Sequence, residues 1–364
     1  MKKILVVAHV TNTPGPVQFV GEYFEKKGYE VHKIYHPLDN NPISAYIVND
    51  KSKDLVHKRF CGIKRLFFDF YYTYKILKKI RKEKFEYVIG MNCFDMLSII
   101  LFKQLINARK KIFFNVDFSR NRFANKVLNK IYVLIDKSVA SKSDVLCCNT
   151  QRTIQERVRE GVPAEKIIYT PNGVFWDKFN IYIKEKTDIN KAIIFVGSLS
   201  KEHGLQEVIP LLKKIQIKFY IIGSGDYEDE LKKMAMLHDL LDERIFFLGH
   251  MKHEEVIEYL SNFNGFGIAP YSLYSDWVYY CDPVKVKEYL ALRLPVIISS
   301  VPEISETISQ KEIGFRYSNI TDLTHILKKL STYSNEEYLQ NIANINNFSD
   351  SIDLNTIYSK LKAL

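Results

Sequence analysis

Short, nearly continuous apolar runs recur along the chain, each followed by a loop and then by a stretch with helical spacing. In the first half they are ILVVAHV, YEVHKIY, EYVIGMN, KIFFNVD and VLCCNT; in the second, AIIFVGS, KFYIIGSG, RIFFLGH, GFGIAP and PVIISS. Runs of this kind, apolar at consecutive rather than alternate positions, suit strands buried on both faces, and their alternation with helices predicts parallel sheets covered on both sides. Between the two series lies IIYTPNGVFWDKF, whose Pro171-Asn172-Gly173 marks a tight reversal. The expected organisation is therefore α/β with two Rossmann-like parallel-sheet domains facing a central cleft. The first covers 1–175 and the second 176–346, and a C-terminal helix in 347–364 crosses back to the first. Ligands of such sheets bind outside the carboxyl ends of the strands.

Length agrees with two domains, since 364 residues exceed one ordinary core. MKKILVVAHV imitates a signal peptide, but TNTPGP ends its apolar run and no small-residue cleavage site follows, so it reads as a first strand. No stretch approaches the apolar length of a membrane span. Five scattered cysteines without a CxxC suggest neither a disulfide framework nor a zinc site, which suits a reducing cytoplasm.

Charge changes the picture more. Residues 1–180 hold 32 Lys+Arg against 17 Asp+Glu, or +15, and the remainder 20 against 25, or −5. Such asymmetry points to an anionic partner for the first half alone. Residues 51–84 concentrate it, with 12 Lys/Arg and seven aromatics. Cations interleaved with aromatics suit an anionic membrane surface, with Lys58, Arg59, Lys64, Arg65, Phe67 and Phe68 as the contact residues. A buried aromatic face behind a solvated basic face is the plainer alternative. No nucleic-acid motif occurs, and nucleic acid is not expected as a partner.

The richest chemistry lies in CDPVKVKEYLALRLPVIISS, residues 281–300. Asp282 is a good N-cap, Pro283 suits a first helical position, and Lys285 and Glu288 then share one helix face. Free N–H groups and a cation suit a phosphate, and a carboxylate can accept hydrogen bonds from ribose hydroxyls. A capped surface helix with an ion pair would show the same residues. GSG at 223–225 is by itself a tight turn. In the first half, FFNVDFSRNRF ends a strand in Asp117 with Arg120 and Arg122 in the next loop. There a carboxylate can meet an acceptor hydroxyl or a developing positive charge, and guanidiniums can hold an acceptor phosphate.

Taken in order, FVGSLSKEHGL, FYIIGSGDYEDELKKMA, RIFFLGHMKHEEVIEYL, the PVKVKEYLALRLPVI block and Pro302-Glu303-Ile304 resemble the donor domain of the family-4-like glycosyltransferases of the GT-B superfamily. The resemblance is close over about 165–315 and looser before it. It implies a nucleotide-sugar donor, UDP- or GDP-linked, and a glycan or lipid-linked acceptor. It further implies retention of anomeric configuration; the cysteine usage and the basic aromatic segment add a cytoplasmic protein, peripheral on the inner face of the membrane. Glu288 becomes the ribose carboxylate and Gly197 the close-approach residue beside the diphosphate. Gly223 and Gly225 open the base pocket, with Arg244 on its wall, and Gly15 belongs to a loop beneath the donor sugar. Ser198 and His203 stand in the donor loop where many relatives carry Arg and Lys, and Tyr280 replaces a carboxylate for which Asp282 can substitute. Lys285 is then the main cation at the diphosphate and Asp117 the catalytic candidate. His9 reads as a strand-end histidine. With no DxD motif anywhere, the expected mechanism uses no metal and no cofactor. Two alternatives stay open: a catalytically silent GT-B subunit that binds a partner or glycan, and a GT-B nucleotide-sugar epimerase.

Overall fold

The computed structural model describes residues 1–11, 15–38, 43–57, 62–186, 188–272 and 276–363. They form two compact units, Met1–Pro171 with Tyr358–Leu364, and Asn172–Ile357. The division thus falls at the Pro171-Asn172 step, against the 175/176 boundary expected, and the chain re-enters the first unit at Tyr358.

The first unit is built on β1 (Lys3–Val10), α1 (Pro16–Lys26), β2 (Glu30–Pro37), β3 (Ile43–Val48), β4 (Lys51–His57), α2 (Gly62–Lys79), β5 (Lys84–Gly90), α3 (Cys93–Leu101), β6 (Asn107–Asn115), α4 (Lys126–Lys142), β7 (Val145–Cys148), α5 (Gln151–Arg159) and β8 (Ile167–Tyr169). Its eight strands lie in the order β4-β3-β2-β1-β5-β6-β7-β8. The sheet is parallel from β2 to β8, but β3 and β4 extend it antiparallel. This edge corrects the all-parallel expectation. Its cause is local: Asn49 and Asp50 take positive φ, 45° and 61°, the two-residue hairpin turn that short polar side chains tolerate. Leu5, Val7, Val88, Phe113 and Leu146 pack with residues of α2, α3 and α4 into one core, so these three helices share a face of the sheet.

The second unit contains α6 (Trp176–Asn180), β9 (Ala192–Val196), α7 (Leu205–Val208), β10 (Lys218–Ile222), α8 (Glu228–Leu237), β11 (Ile245–Gly249), α9 (His253–Ser261), β12 (Phe266–Ala269), α10 (Asp276–Tyr280), α11 (Val284–Ala291), β13 (Val296–Ser299), α12 (Ile304–Gln310), β14 (Gly314–Tyr317), α13 (Ile320–Ser331) and α14 (Asn335–Phe348); α15 (Leu354–Ser359) follows. Six parallel strands run β11-β10-β9-β12-β13-β14. Along β9 Ile193 and Phe195 enter one core, while Ala192 and Ile194 enter the core on the opposite face. Burial on both faces is why the strand reads as an unbroken apolar run. The order reverses between β9 and β12, the point where open α/β sheets leave a crevice at their carboxyl ends.

Candidate active site

Three glycines let the loops after β9 and β10 close on one another beside that crevice. Gly197 has φ 145° and Gly223 φ 139°, conformations that side chains other than hydrogen rarely allow. The Gly197 N–H donates to the Ile222 carbonyl at 3.0 Å, the Leu199 N–H to the Ser224 carbonyl at 3.0 Å, and the Gly223 N–H to the Gly249 carbonyl at 2.8 Å. A Cβ on Gly223 would lie 1.9 Å from the Gly197 oxygen, and one on Gly225 2.4 Å from the Leu199 oxygen.

Above Gly197 stands Lys285, in the first turn of α11. A Cβ on Gly197 would lie 2.6 Å from its Nζ. That ammonium nitrogen is buried and has no hydrogen-bond partner among the described residues. It sits 4.2 Å from the ring centre of Phe195 and 5.4 Å from that of Tyr271. Burial lowers its pKa to about 7, against the weaker pull of Cys281 and Glu288. α11 is fixed to the sheet by Tyr289, whose hydroxyl accepts the Val196 N–H at 2.8 Å.

One turn further along α11, Glu288 meets His253, which opens α9; Nε2 lies 2.8 Å from Oε1. This bond raises the His253 pKa and holds the carboxylate in one position. His253 is the residue that sequence reasoning missed, because nothing local in MKHEEV announces a partner on a different helix.

His203 lies between the Phe195 and Tyr271 rings, at 5.7 and 5.5 Å. Burial, with the Lys285 charge second, pushes its pKa down to about 3. It is thus neutral and cannot replace a cation, while Ser198 beside it is exposed.

Two donor-side expectations are corrected. Asp282 is not the helix cap, since Pro283 holds that position. Its buried carboxylate accepts the Asn172 N–H at 2.7 Å and pairs with Lys287 at 3.1 Å, fastening the Asn172 turn instead of facing a ligand. Arg244 precedes β11, at the opposite edge of the sheet from Gly197 and Gly223, and its Nη1 donates to the Leu212 and Ile215 carbonyls. Its place at the carboxyl edge is taken by Gly249 and His250.

In the first unit Asp117 follows β6 and is exposed. Arg120 does not join it: its guanidinium pairs with Glu156 at 3.1 Å and with Glu160, and lies over Phe118. This corrects its role as an acceptor-phosphate ligand, because its charge is already matched. Arg122 is exposed nearby. Gly15 occupies the N-cap of α1 with extended backbone, φ −164°, so its position does not require glycine. Residues 12–14 of the same loop lie outside the described residues.

His9 is more engaged than its strand-end position suggested. Its Nδ1 lies 2.6 Å from Asp95 and its Nε2 3.4 Å from Asp69; Asp69 also faces His36 at 3.2 Å. Both carboxylates are buried. The network joins β1 and β2 to α2 and α3.

Of the expected membrane residues, Lys58 and Arg59 lie outside the described residues. Lys64 is exposed, Arg65 and Phe68 are partly buried, and Phe67 is 71% exposed. The opposite face of α2 carries buried Asp69, Tyr72, Thr73, Ile76 and Leu77. No described helix is long and apolar enough to cross a membrane.

A parallel sheet with a glycine-lined crevice at its switch point, beside a buried cation and an oriented carboxylate, is an arrangement suited to a phosphate-bearing ligand. Residues 193–361 match the family described as glucosyltransferase 3-like, C-terminal domain, and the fold is that of GT-B glycosyltransferase structures. Over its whole length it is similar in structure to sucrose-phosphate synthase from Thermosynechococcus elongatus (TM-score 0.72, 14% identity, 100% of both chains). HepE from Anabaena in complex with UDP and glucose superposes at TM-score 0.71 with 14% identity, covering 100% of this chain and 99% of that one. In sequence it is 29% identical over 160 residues to the amylovoran biosynthesis glycosyltransferase AmsK of Erwinia amylovora, a match spanning 43% of this chain and 39% of AmsK.

Proposed function

We propose that this chain transfers a sugar from a nucleoside-diphosphate donor to a glycan or lipid-linked acceptor in surface polysaccharide assembly, with retention and without a metal. The observation that carries the reading is the buried, unpartnered Lys285 ammonium above Gly197. A buried cation is costly unless a ligand completes its charge, and a diphosphate entering over a glycine does so. Glu288, held by His253, accepts the ribose hydroxyls. The neighbour that holds UDP and glucose and the relative named for amylovoran biosynthesis support the same assignment. On the acceptor side Asp117 is the catalytic group, and the exposed Arg122 of the same loop is the acceptor-phosphate ligand.

An acceptor held at a membrane is the reading that the exposed apolar faces of the first unit support. α2 exposes Phe67 and Tyr71, one turn apart; α4 exposes Val127, Leu128, Ile131 and Leu134 among Lys126, Lys130 and Lys137. Apolar side chains rimmed by lysines suit an anionic headgroup layer.

Thermal-shift titration tests the donor assignment. A nucleotide at 100 times its Kd stabilises by about 2.7 kcal/mol. UDP or GDP is expected to raise Tm in the wild type and much less in Lys285→Ala; no shift with any nucleoside diphosphate would remove the assignment. Transfer is expected to survive EDTA, and loss of activity restored by magnesium or manganese would overturn the metal-free step.

A further inference from the structure

A second cavity opens in the second unit at the amino-terminal edge of its sheet, away from the glycine loops. It has a volume of about 650 Å³ and is lined by the residues that enter β9, β10 and β11 and by the last turn of α9. Three of its lining residues are cations, Lys191, Lys218 and Arg244, and none is a carboxylate. This is a local excess of positive charge in the half of the chain that is net negative. The Arg244 guanidinium is held by two carbonyls, so it is presented in a fixed position. Aromatic walls come from Tyr220, stacked on Phe246 with ring centres 5.1 Å apart and 19° between planes, and from Tyr259 and Phe263. Side-chain amides of Asn190, Gln216 and Asn262 complete the rim.

We infer that this cavity is a binding site for an acidic saccharide, a carboxylate-bearing segment of glycan held apart from the donor crevice. Aromatic faces cover the C–H faces of sugar rings, amides match hydroxyls, and a guanidinium with two lysines meets carboxylates. A site on the far edge of the sheet would let the enzyme hold a long acidic chain while a separate part of it reacts. That role rests on the glycosyltransferase reading above; the binding chemistry does not.

Calorimetry on the full chain tests it with a tetragalacturonate as the probe, maltotetraose as its neutral counterpart and UDP as a control. Tetragalacturonate is expected to bind about tenfold or more tighter than maltotetraose, to weaken as salt rises, and to remain bound when UDP saturates the donor site. The double variant Lys191→Gln/Lys218→Gln is expected to lose about tenfold in tetragalacturonate affinity with UDP affinity unchanged. Asn262→Asp, at an exposed position, should weaken the acidic sugar more than it weakens maltotetraose. Absence of tetragalacturonate binding in a protein that binds UDP would overturn the proposal, as would equal binding of the neutral sugar, indifference to these substitutions, or displacement by UDP. Failure of UDP itself to bind bears on the donor assignment alone.

Discussion

At the scale of single residues, the proposed donor crevice turns on a lysine whose charge depends on what lies beside it. With its pKa lowered to about 7, Lys285 is largely neutral above that pH in the free protein. Between there and the ordinary lysine range the unfolded chain binds a proton that the folded chain has released, so this residue's contribution makes stability rise with pH across that window. A diphosphate favours the protonated form. Binding of UDP-glucose, whose diphosphate does not titrate in this range, should therefore take up a proton at pH 8 and weaken as pH rises from 7 to 9. Uridine should show neither effect, and Lys285→Ala should abolish both; calorimetry in buffers of different ionisation enthalpy reads the proton directly. Glu288 offers a second test. Glu288→Ala should abolish transfer while preserving the thermal transition. The milder Glu288→Gln should let the His253 pKa fall back toward its ordinary value, which an NMR titration would follow, because the carboxylate is the first cause of its rise. Proton binding at His253 stabilises the fold below its ordinary pKa, and that contribution is lost as pH rises through the elevated value.

Elements are placed by close approaches and buried charges that sequence spacing does not display. The loops after β9 and β10 meet only because Gly223 has no side chain, and Gly223→Ala combines a left-handed φ with a Cβ 1.9 Å from the Gly197 oxygen. We expect it to cost at least about 1–3 kcal/mol and to distort the crevice, seen as a lowered Tm together with lost nucleotide binding. In the first unit α5 is tied down by Arg157, which is fully buried among Asp136, Glu160 and the Asn115 side chain. Arg157→Ala would strand the buried Asp136 carboxylate and should cost about 3–5 kcal/mol in urea unfolding. Arg120 belongs to the same cluster through Glu160, which explains why a residue that read as an acceptor ligand serves structure instead. The strands with unbroken apolar runs were legible from their pattern, whereas β3 and β4 were not. KSKDLVH carries too few apolar residues for a core strand, and as an edge strand it needs few.

For the whole molecule, the charge division makes a prediction about where the protein works. Binding to anionic vesicles should fall steeply between low and physiological salt, and neutral vesicles should bind weakly. Replacing Phe67 and Ile131 by serine together with Lys64 and Lys130 by glutamate should release the protein from anionic vesicles and leave its UDP affinity intact. Unchanged co-sedimentation would mean that these faces are merely solvated. The sequence by itself determined the two α/β units, the parallel direction of their central strands, the glycine-ended loops and the placement of Lys285 and Glu288 on one helix. Each of these depends on residues close in the chain or on a periodicity that burial imposes. Only the tertiary structure decided that Asp282 fastens a turn and that Arg244 stands at the far edge of the sheet. It also decided that Arg120 is spent on two glutamates and that His253 orients Glu288. In each case the partner lies on another element, and a side chain's role depends on which charges and carbonyls folding brings within hydrogen-bond reach.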